Sequence, residues 1–135
     1  MRHLAARETP PLILELDSAG TAGYHIGAPP DLRSQAAARG RGIDISDLRA
    51  RRVEPEDFSK FDLILAMDRE NLSALKRARP RHARAQLRLF LEYAPQEGLS
   101  EVPDPYYGTE RDFEIVLDLC TAAARGLIAE LQKRT

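Results

Sequence analysis

Few residues in this chain combine a reactive side chain with a backbone that would hold it still. Asp104 is one. It lies in Val102-Pro103-Asp104-Pro105-Tyr106-Tyr107-Gly108, a stretch that two prolines and a glycine make non-helical. Pro105 fixes its own φ and steers Asp104 away from the α region, which sets the carboxylate on extended backbone. Tyr106 and Tyr107 follow, with rings that are apolar in body and polar at the tip and suit the wall of a wet cleft. A rigid acid beside aromatic rings can hand a proton to an aromatic leaving group. Asp-Pro also starts ordinary turns, so residue types alone leave both readings open.

The other candidates are weaker. Cys120 is the single cysteine, and it falls on an apolar stripe of helical spacing made by Phe113, Val116, Leu117, Cys120, Ala124, Leu127 and Leu131. A thiol buried there is inert, with a raised pKa, so a core role is expected. His25 follows Tyr24, but no second ligand stands at a metal spacing, and a solvated loop histidine is expected. His3 and His82 carry no recognisable role. Lys76, Arg77, Arg79, Arg81, Arg84 and Arg88 form a basic run without an intervening acid. It lacks an aromatic residue for base stacking and reads as a solvated face. Arg49, Arg51 and Arg52 read as exposed. Asp68 reads as a helix cap.

These residues need a scaffold, and its size is bounded. The chain has 135 residues, 43% hydrophobic and 30% charged, with a formal net charge of -1. One soluble domain follows, without a global field toward nucleic acid or membrane. One cysteine precludes an internal disulfide and favours a reducing compartment. No apolar run reaches the ~18 residues of a membrane span, and residues 1–8 are too charged for a signal peptide. The cytoplasm is the expected location. No nucleic-acid or membrane partner is expected.

Strands are expected near 12–16, 61–67 and 86–89, all parallel. The run Phe61-Asp62-Leu63-Ile64-Leu65-Ala66-Met67 is nearly continuous in apolar residues, as in strands covered on both faces. Helices are expected from about Asp31 to Arg39, with Pro30 at the first turn, and from Arg69 to Arg79 with Asp68 as cap and Leu72 and Leu75 inward. A last helix is expected after Thr109, which serves as its cap. The alternation argues an α/β domain with a Rossmann-like parallel sheet and helices on both faces. Ligands of such sheets sit at the carboxyl ends of strands, where the loops from Asp17 to Gly23 and from Asp68 to Asn71 are expected.

Four blocks, in this order, carry a resemblance. They are Leu16-Asp17-Ser18-Ala19-Gly20-Thr21, Tyr24-His25-Ile26-Gly27-Ala28-Pro29-Pro30-Asp31, Phe61 to Asp68, and Asp104-Pro105-Tyr106-Tyr107-Gly108. Together they resemble the low-molecular-weight protein tyrosine phosphatases over nearly the whole chain. The resemblance implies a four-stranded parallel sheet and hydrolysis of phosphotyrosine monoesters through a phosphocysteine, without cofactor or metal. It implies Asp104 as general acid and then base. It also implies Tyr24, Tyr106 and Tyr107 as the walls of the ring slot, and Ser18 as a support of the phosphate loop. The partner it implies is a phosphotyrosine protein or a small aryl phosphate.

The family's nucleophile lies in a Cys-x-x-x-x-x-Arg loop after its first strand. That block does not occur in these residues, and Met1-Arg2-His3-Leu4-Ala5-Ala6 resembles the helix that follows it. Residues 1–135 are therefore expected to be an N-terminally incomplete phosphatase-like domain, with three strands and no activity as written. A non-catalytic binding module built on the same fold is the alternative. An arsenate reductase is disfavoured, since that activity needs additional redox cysteines. The oligomeric state is not specified by the sequence.

Overall fold

The computed structural model describes residues 1–5, 14–21, 27–103 and 110–134, apart from the side chains of residues 3, 5, 110 and 134. In chain order its elements are α1 (Arg2–Ala5), α2 (Leu32–Arg39), α3 (Asp57–Lys60), β1 (Leu63–Ala66), α4 (Arg69–Ala78) and β2 (Gln86–Leu89). Two short 3-10 turns follow, Phe90–Tyr93 and Pro95–Glu97, and then α5 (Glu110–Arg134). β1 and β2 pair in parallel, with Leu63 opposite Gln86 and Ala66 opposite Leu89.

The sheet separates two apolar layers because strand side chains alternate between faces. Ile64 and Ala66 face one layer with Phe58, Leu72, Leu75, Leu87 and Leu89. Leu63 and Leu65 face the other, with Phe90, Leu91, Ala94, Val102 and the α5 residues Leu119, Ala123, Ala124 and Leu127. Helices thus cover both faces, α4 on one and α5 on the other. Burying a side chain such as Phe58 or Leu91 contributes roughly 1.5–3 kcal/mol, so these layers supply much of the cohesion.

The local signals for α4 act as the sequence suggests. The Asp68 carboxylate accepts a hydrogen bond from the Asn71 amide at 2.7 Å, which satisfies one of the free donors of the first turn. The helix ends at Ala78, two residues before Pro80. For α2 the cap is Asp31, whose carboxylate accepts from the Arg33 amide at 2.8 Å. Pro30 therefore lies outside the first turn, a correction of the expected start; its carbonyl accepts from the Gln35 amide group instead. Gly42 turns the chain away with φ +77°.

Two expectations need correcting. Residues 14–16 carry no strand, and residues 12 and 13 lie outside the described part. The described residues hold two strands rather than three. A strand is stabilised by its ladder, and among the described residues the hydrogen bond at Leu16 comes from the Arg2 guanidinium to its carbonyl. Cys120 is half-buried rather than buried. It packs at the margin of the α5 layer with Val116 and Leu131. The stripe is also broader than the sequence reading, since Leu119, Ala123 and Ile128 are buried as well.

Candidate active site

β1 ends at Ala66, and the residues just past it gather two loops. The Val102 amide donates to the Met67 carbonyl at 2.8 Å, and the Glu101 carboxylate accepts from the Arg69 amide at 2.8 Å. Val102 is buried, with its side chain in the α5 layer. It stands two positions before Asp104 in the sequence. On the other side, the Asn71 amide group donates to the Thr21 hydroxyl at 3.3 Å. Thr21 stands three positions before Tyr24. The flanks of the Asp104 loop and of the Tyr24 segment therefore meet the same feature, the carboxyl end of β1 and the first turn of α4. This is the rim where a parallel sheet offers room for a ligand.

Asp104, Tyr106, Tyr107 and Tyr24, four of the residues singled out from the sequence, lie outside the described residues, as does the expected cap Thr109. Ser18 is described. It is exposed, its amide donates to the Asp17 carboxylate at 2.8 Å, and its hydroxyl bonds to no other described residue.

Arg51 organises the loop that follows Asp17, and the sequence reading missed it by treating it as an exposed cation. Its guanidinium makes two hydrogen bonds to Asp57, at 2.9 and 3.0 Å. It also lies 3.2 Å from the Asp17 carboxylate. Asp57 is buried and also accepts from the Glu54 amide at 2.8 Å. The arginine holds the Asp57 carboxyl below the ordinary carboxylate range, chiefly by hydrogen bonding, against the opposing effect of burial. Main-chain bonds join the same segments. The Gly20 amide donates to the Arg51 carbonyl at 2.8 Å, and the Val53 amide donates to the Gly20 carbonyl at 2.9 Å. The signal that could have found Arg51 is its spacing of six from Asp57 across the Pro55 turn.

The far end of the Asp104 loop leads into α5, which is fixed in turn. Arg41 donates to Glu114 at 3.0 Å and to Asp118 at 2.8 Å. Arg33 lies over the ring of Phe113, 4.7 Å from its centre. A shallow cavity of about 350 Å³ between α2 and α5 is lined by Leu32, Arg33, Ala36, Ala37 and Glu114. It holds no nucleophile.

Cys120 is placed for packing. Burial pushes its thiol above the ordinary range, which suppresses the thiolate needed for attack on phosphorus. It sits within α5, where backbone amides are spent on helix bonds and cannot cradle a phosphate. Among the described residues no three His, Cys, Asp or Glu side chains cluster to hold a metal ion. Among them also, no helix is long and apolar enough to cross a membrane.

The family profile described as low molecular weight phosphotyrosine protein phosphatase matches residues 1–135. The chain is 42% identical over 115 residues to the low molecular weight phosphotyrosine protein phosphatase of Homo sapiens, covering 84% of this chain and 72% of that protein. It is 36% identical over 132 residues to a low molecular weight protein-tyrosine-phosphatase of Bacillus subtilis, covering 98% and 83%. Its structure is similar to that of a protein tyrosine phosphatase from Entamoeba histolytica, with a TM-score of 0.82 and 36% identity over 87% of this chain and 74% of that one. The chain belongs to the low molecular weight phosphotyrosine protein phosphatase family.

Proposed function

We propose that residues 1–135 supply the leaving-group acid and the aromatic slot of a phosphotyrosine monoester hydrolase, and that they do not supply its nucleophile. What supports the first part is that Val102 meets the residue just past β1 and Thr21 meets the first turn of α4, which follows it directly. In this reading Asp104 protonates the departing phenolate, whose conjugate acid has a pKa of about 10, and then takes a proton from the attacking water. Tyr24, Tyr106 and Tyr107 flank the ring. Ser18 steadies the phosphate-binding backbone. The substrate is a phosphotyrosine side chain or a small aryl phosphate.

What supports the second part is the cysteine count. Phosphocysteine chemistry needs a thiolate held against backbone N–H groups, and the sole thiol is Cys120 in α5. Asp104 alone then has no phosphoenzyme to form or break. The same cysteine count weighs against an arsenate reductase. The test is hydrolysis of 4-nitrophenyl phosphate by the 135-residue chain and by its Cys120→Ser variant. Neither should exceed background, and the two should be equal. Turnover that vanishes with Cys120→Ser, in a variant that keeps its fold, would make Cys120 the nucleophile and overturn the reading.

A further inference from the structure

The end of the sheet away from the candidate site carries an unbalanced charge. α4 starts at the rim with Asp68 as cap and runs back, so its last turn and the loop to β2 lie where the strands begin. Residues 76–84 hold Lys76, Arg77, Arg79, Arg81 and Arg84 and no acid, in a chain whose net charge is -1. All five side chains are exposed. Arg84 is paired, 3.3 Å from Asp62. Among the described residues the Arg79 side chain donates to the Ala83 carbonyl, at 3.0 Å, and meets no carboxylate. Lys76, Arg77 and Arg81 make no hydrogen bond or ion pair with a described residue.

The helix accounts for part of this. Cations in the last turn complement the negative end of the α4 dipole, which explains Lys76 and Arg77. Arg79, the C-cap, shares that effect, but Arg81 lies beyond the helix and is not explained by it. The platform is also fixed. The Arg79 amide donates to Leu75, the Ala83 amide to Pro80 and the Ala85 amide to Phe58, at 2.9, 3.2 and 2.9 Å. Ala85 is fully buried. The backbone that carries the cations is thus ordered before binding, and only side-chain freedom remains to be lost.

We infer that this platform is a docking surface for an acidic protein segment, a run of Asp and Glu side chains. The guanidinium fork matches a carboxylate with two parallel hydrogen bonds, and arginine supplies four of the five cations. Single-stranded nucleic acid fits poorly, since residues 76–84 contain no aromatic ring on which a base could stack. A lipid surface fits poorly too. The exposed large hydrophobic residues, Leu32, Leu48, Met67, Leu99 and Ile115, all lie outside the segment, so nothing there would enter the acyl boundary. The platform and the candidate site are separated by at least the length of β1, roughly 13 Å at about 3.3 Å per residue. One acidic protein could therefore occupy both.

The inference stands apart from the catalytic reading, and its test needs no turnover. Fluorescence anisotropy of a labelled glutamate- and aspartate-rich peptide is measured against the 135-residue chain at low salt. Saturable binding is expected, weakened by added salt as the charges are screened. The triple variant Lys76→Glu, Arg77→Glu, Arg81→Glu should weaken it by about tenfold or more. The milder Lys76→Gln, Arg77→Gln, Arg81→Gln variant should fall between, with helix content by circular dichroism unchanged. Reversal of three exposed arginines elsewhere, Arg39, Arg52 and Arg125, should leave binding as it was. The inference is overturned by no saturable binding at low salt, or by equal binding of the triple variants. Tighter binding of phosphatidylserine vesicles or of a DNA duplex than of the peptide overturns it too, as does charge-dependent self-association in place of peptide binding.

Discussion

From Asp57 onward the described chain is held mainly by the side chains it buries; before Asp57 it is held mainly by hydrogen bonds and arginine ion pairs, with Met1, Leu4 and Val53 adding half-buried contacts. Among the described residues only Ala38, of all the buried hydrophobic residues, precedes Asp57. The earlier part is tied by Gly20 to Arg52, by the Gly27 amide to the Ala50 carbonyl at 2.7 Å, and by Arg51 to Asp17 and Asp57. The rim draws on both parts, with Thr21 from the first and Val102 from the second. The difference teaches that one flank of the candidate site is set by apolar packing and the other by polar ties. Apolar packing is the sturdier of the two, since a net hydrogen bond contributes about 0.5–1.5 kcal/mol and a buried large side chain about 1.5–3 kcal/mol.

The largest expected contrast is between two leucines. Leu91→Ala, at a site 1% exposed, should cost about 2–5 kcal/mol in urea denaturation. Leu16→Ala, on the half-buried segment before the rim, should cost under about 1 kcal/mol. Similar costs for the two would break the comparison. Next comes Gly126→Ala. Alanine improves an ordinary helix position by about 1 kcal/mol, yet here a Cβ would stand 1.8 Å from the Tyr93 carbonyl oxygen. Since that oxygen is backbone, α5 and the Phe90–Tyr93 turn would have to separate. A net loss of about 1–3 kcal/mol is expected, and a raised melting temperature would show that the two elements pack less closely.

Asp57→Asn tests the polar half. It should cost about 1–2 kcal/mol near neutral pH, from the lost bonds to Arg51 and the Glu54 amide. The sign of its pH dependence follows from the lowered carboxyl pKa. The stabilisation is present above the unfolded value of about 3.9 and is lost as pH falls through the lower folded value. Stability curves of the wild type and the variant should therefore converge at acid pH. A gap that widened on acidification would contradict the assignment. The smallest expected effect is that of Asp68→Ala, about 1 kcal/mol for a lost helix cap. It should be read in the same urea titration, and no change would mean that the first turn of α4 is held by other bonds.

The sequence was most legible where burial is local. The run from Phe61 to Met67 and the block Gln86 to Leu89 foretold both strands, because each faces helices encoded close by. Asp68 was legible as a cap; Asp31 was read as the first helical residue and is instead the cap, so Pro30 drew the start of α2 about one residue too early. The run from Leu12 to Leu16 was legible only in part: residues 14–16 carry no strand, and residues 12 and 13 lie outside the described part. It has strand composition, but a ladder needs a neighbour and composition does not specify one. Arg51 was missed because its partners Asp17 and Asp57 are brought to it by turns, and a cation in a basic triplet looks solvated. Gly126 was missed because a glycine inside a helical pattern gives no hint of the carbonyl that passes beside it. Asp104 was singled out by its two flanking prolines and lies outside the described residues; the bond from Val102 to Met67 fixes only the segment that precedes it.

The measurement that bears most directly on the proposed division of labour uses a fusion in which an apolar strand and a Cys-x-x-x-x-x-Arg loop precede Met1. Its turnover is compared on phenyl phosphate, whose leaving group needs a proton, and on 4-nitrophenyl phosphate, whose leaving group needs one far less. The fusion should hydrolyse both while the 135-residue chain hydrolyses neither. Asp104→Asn in the fusion should slow phenyl phosphate by about 10²–10⁴-fold, the range of general acid catalysis, and slow 4-nitrophenyl phosphate much less. An equal loss on both substrates, or turnover by the 135-residue chain matching that of the fusion, would contradict the account.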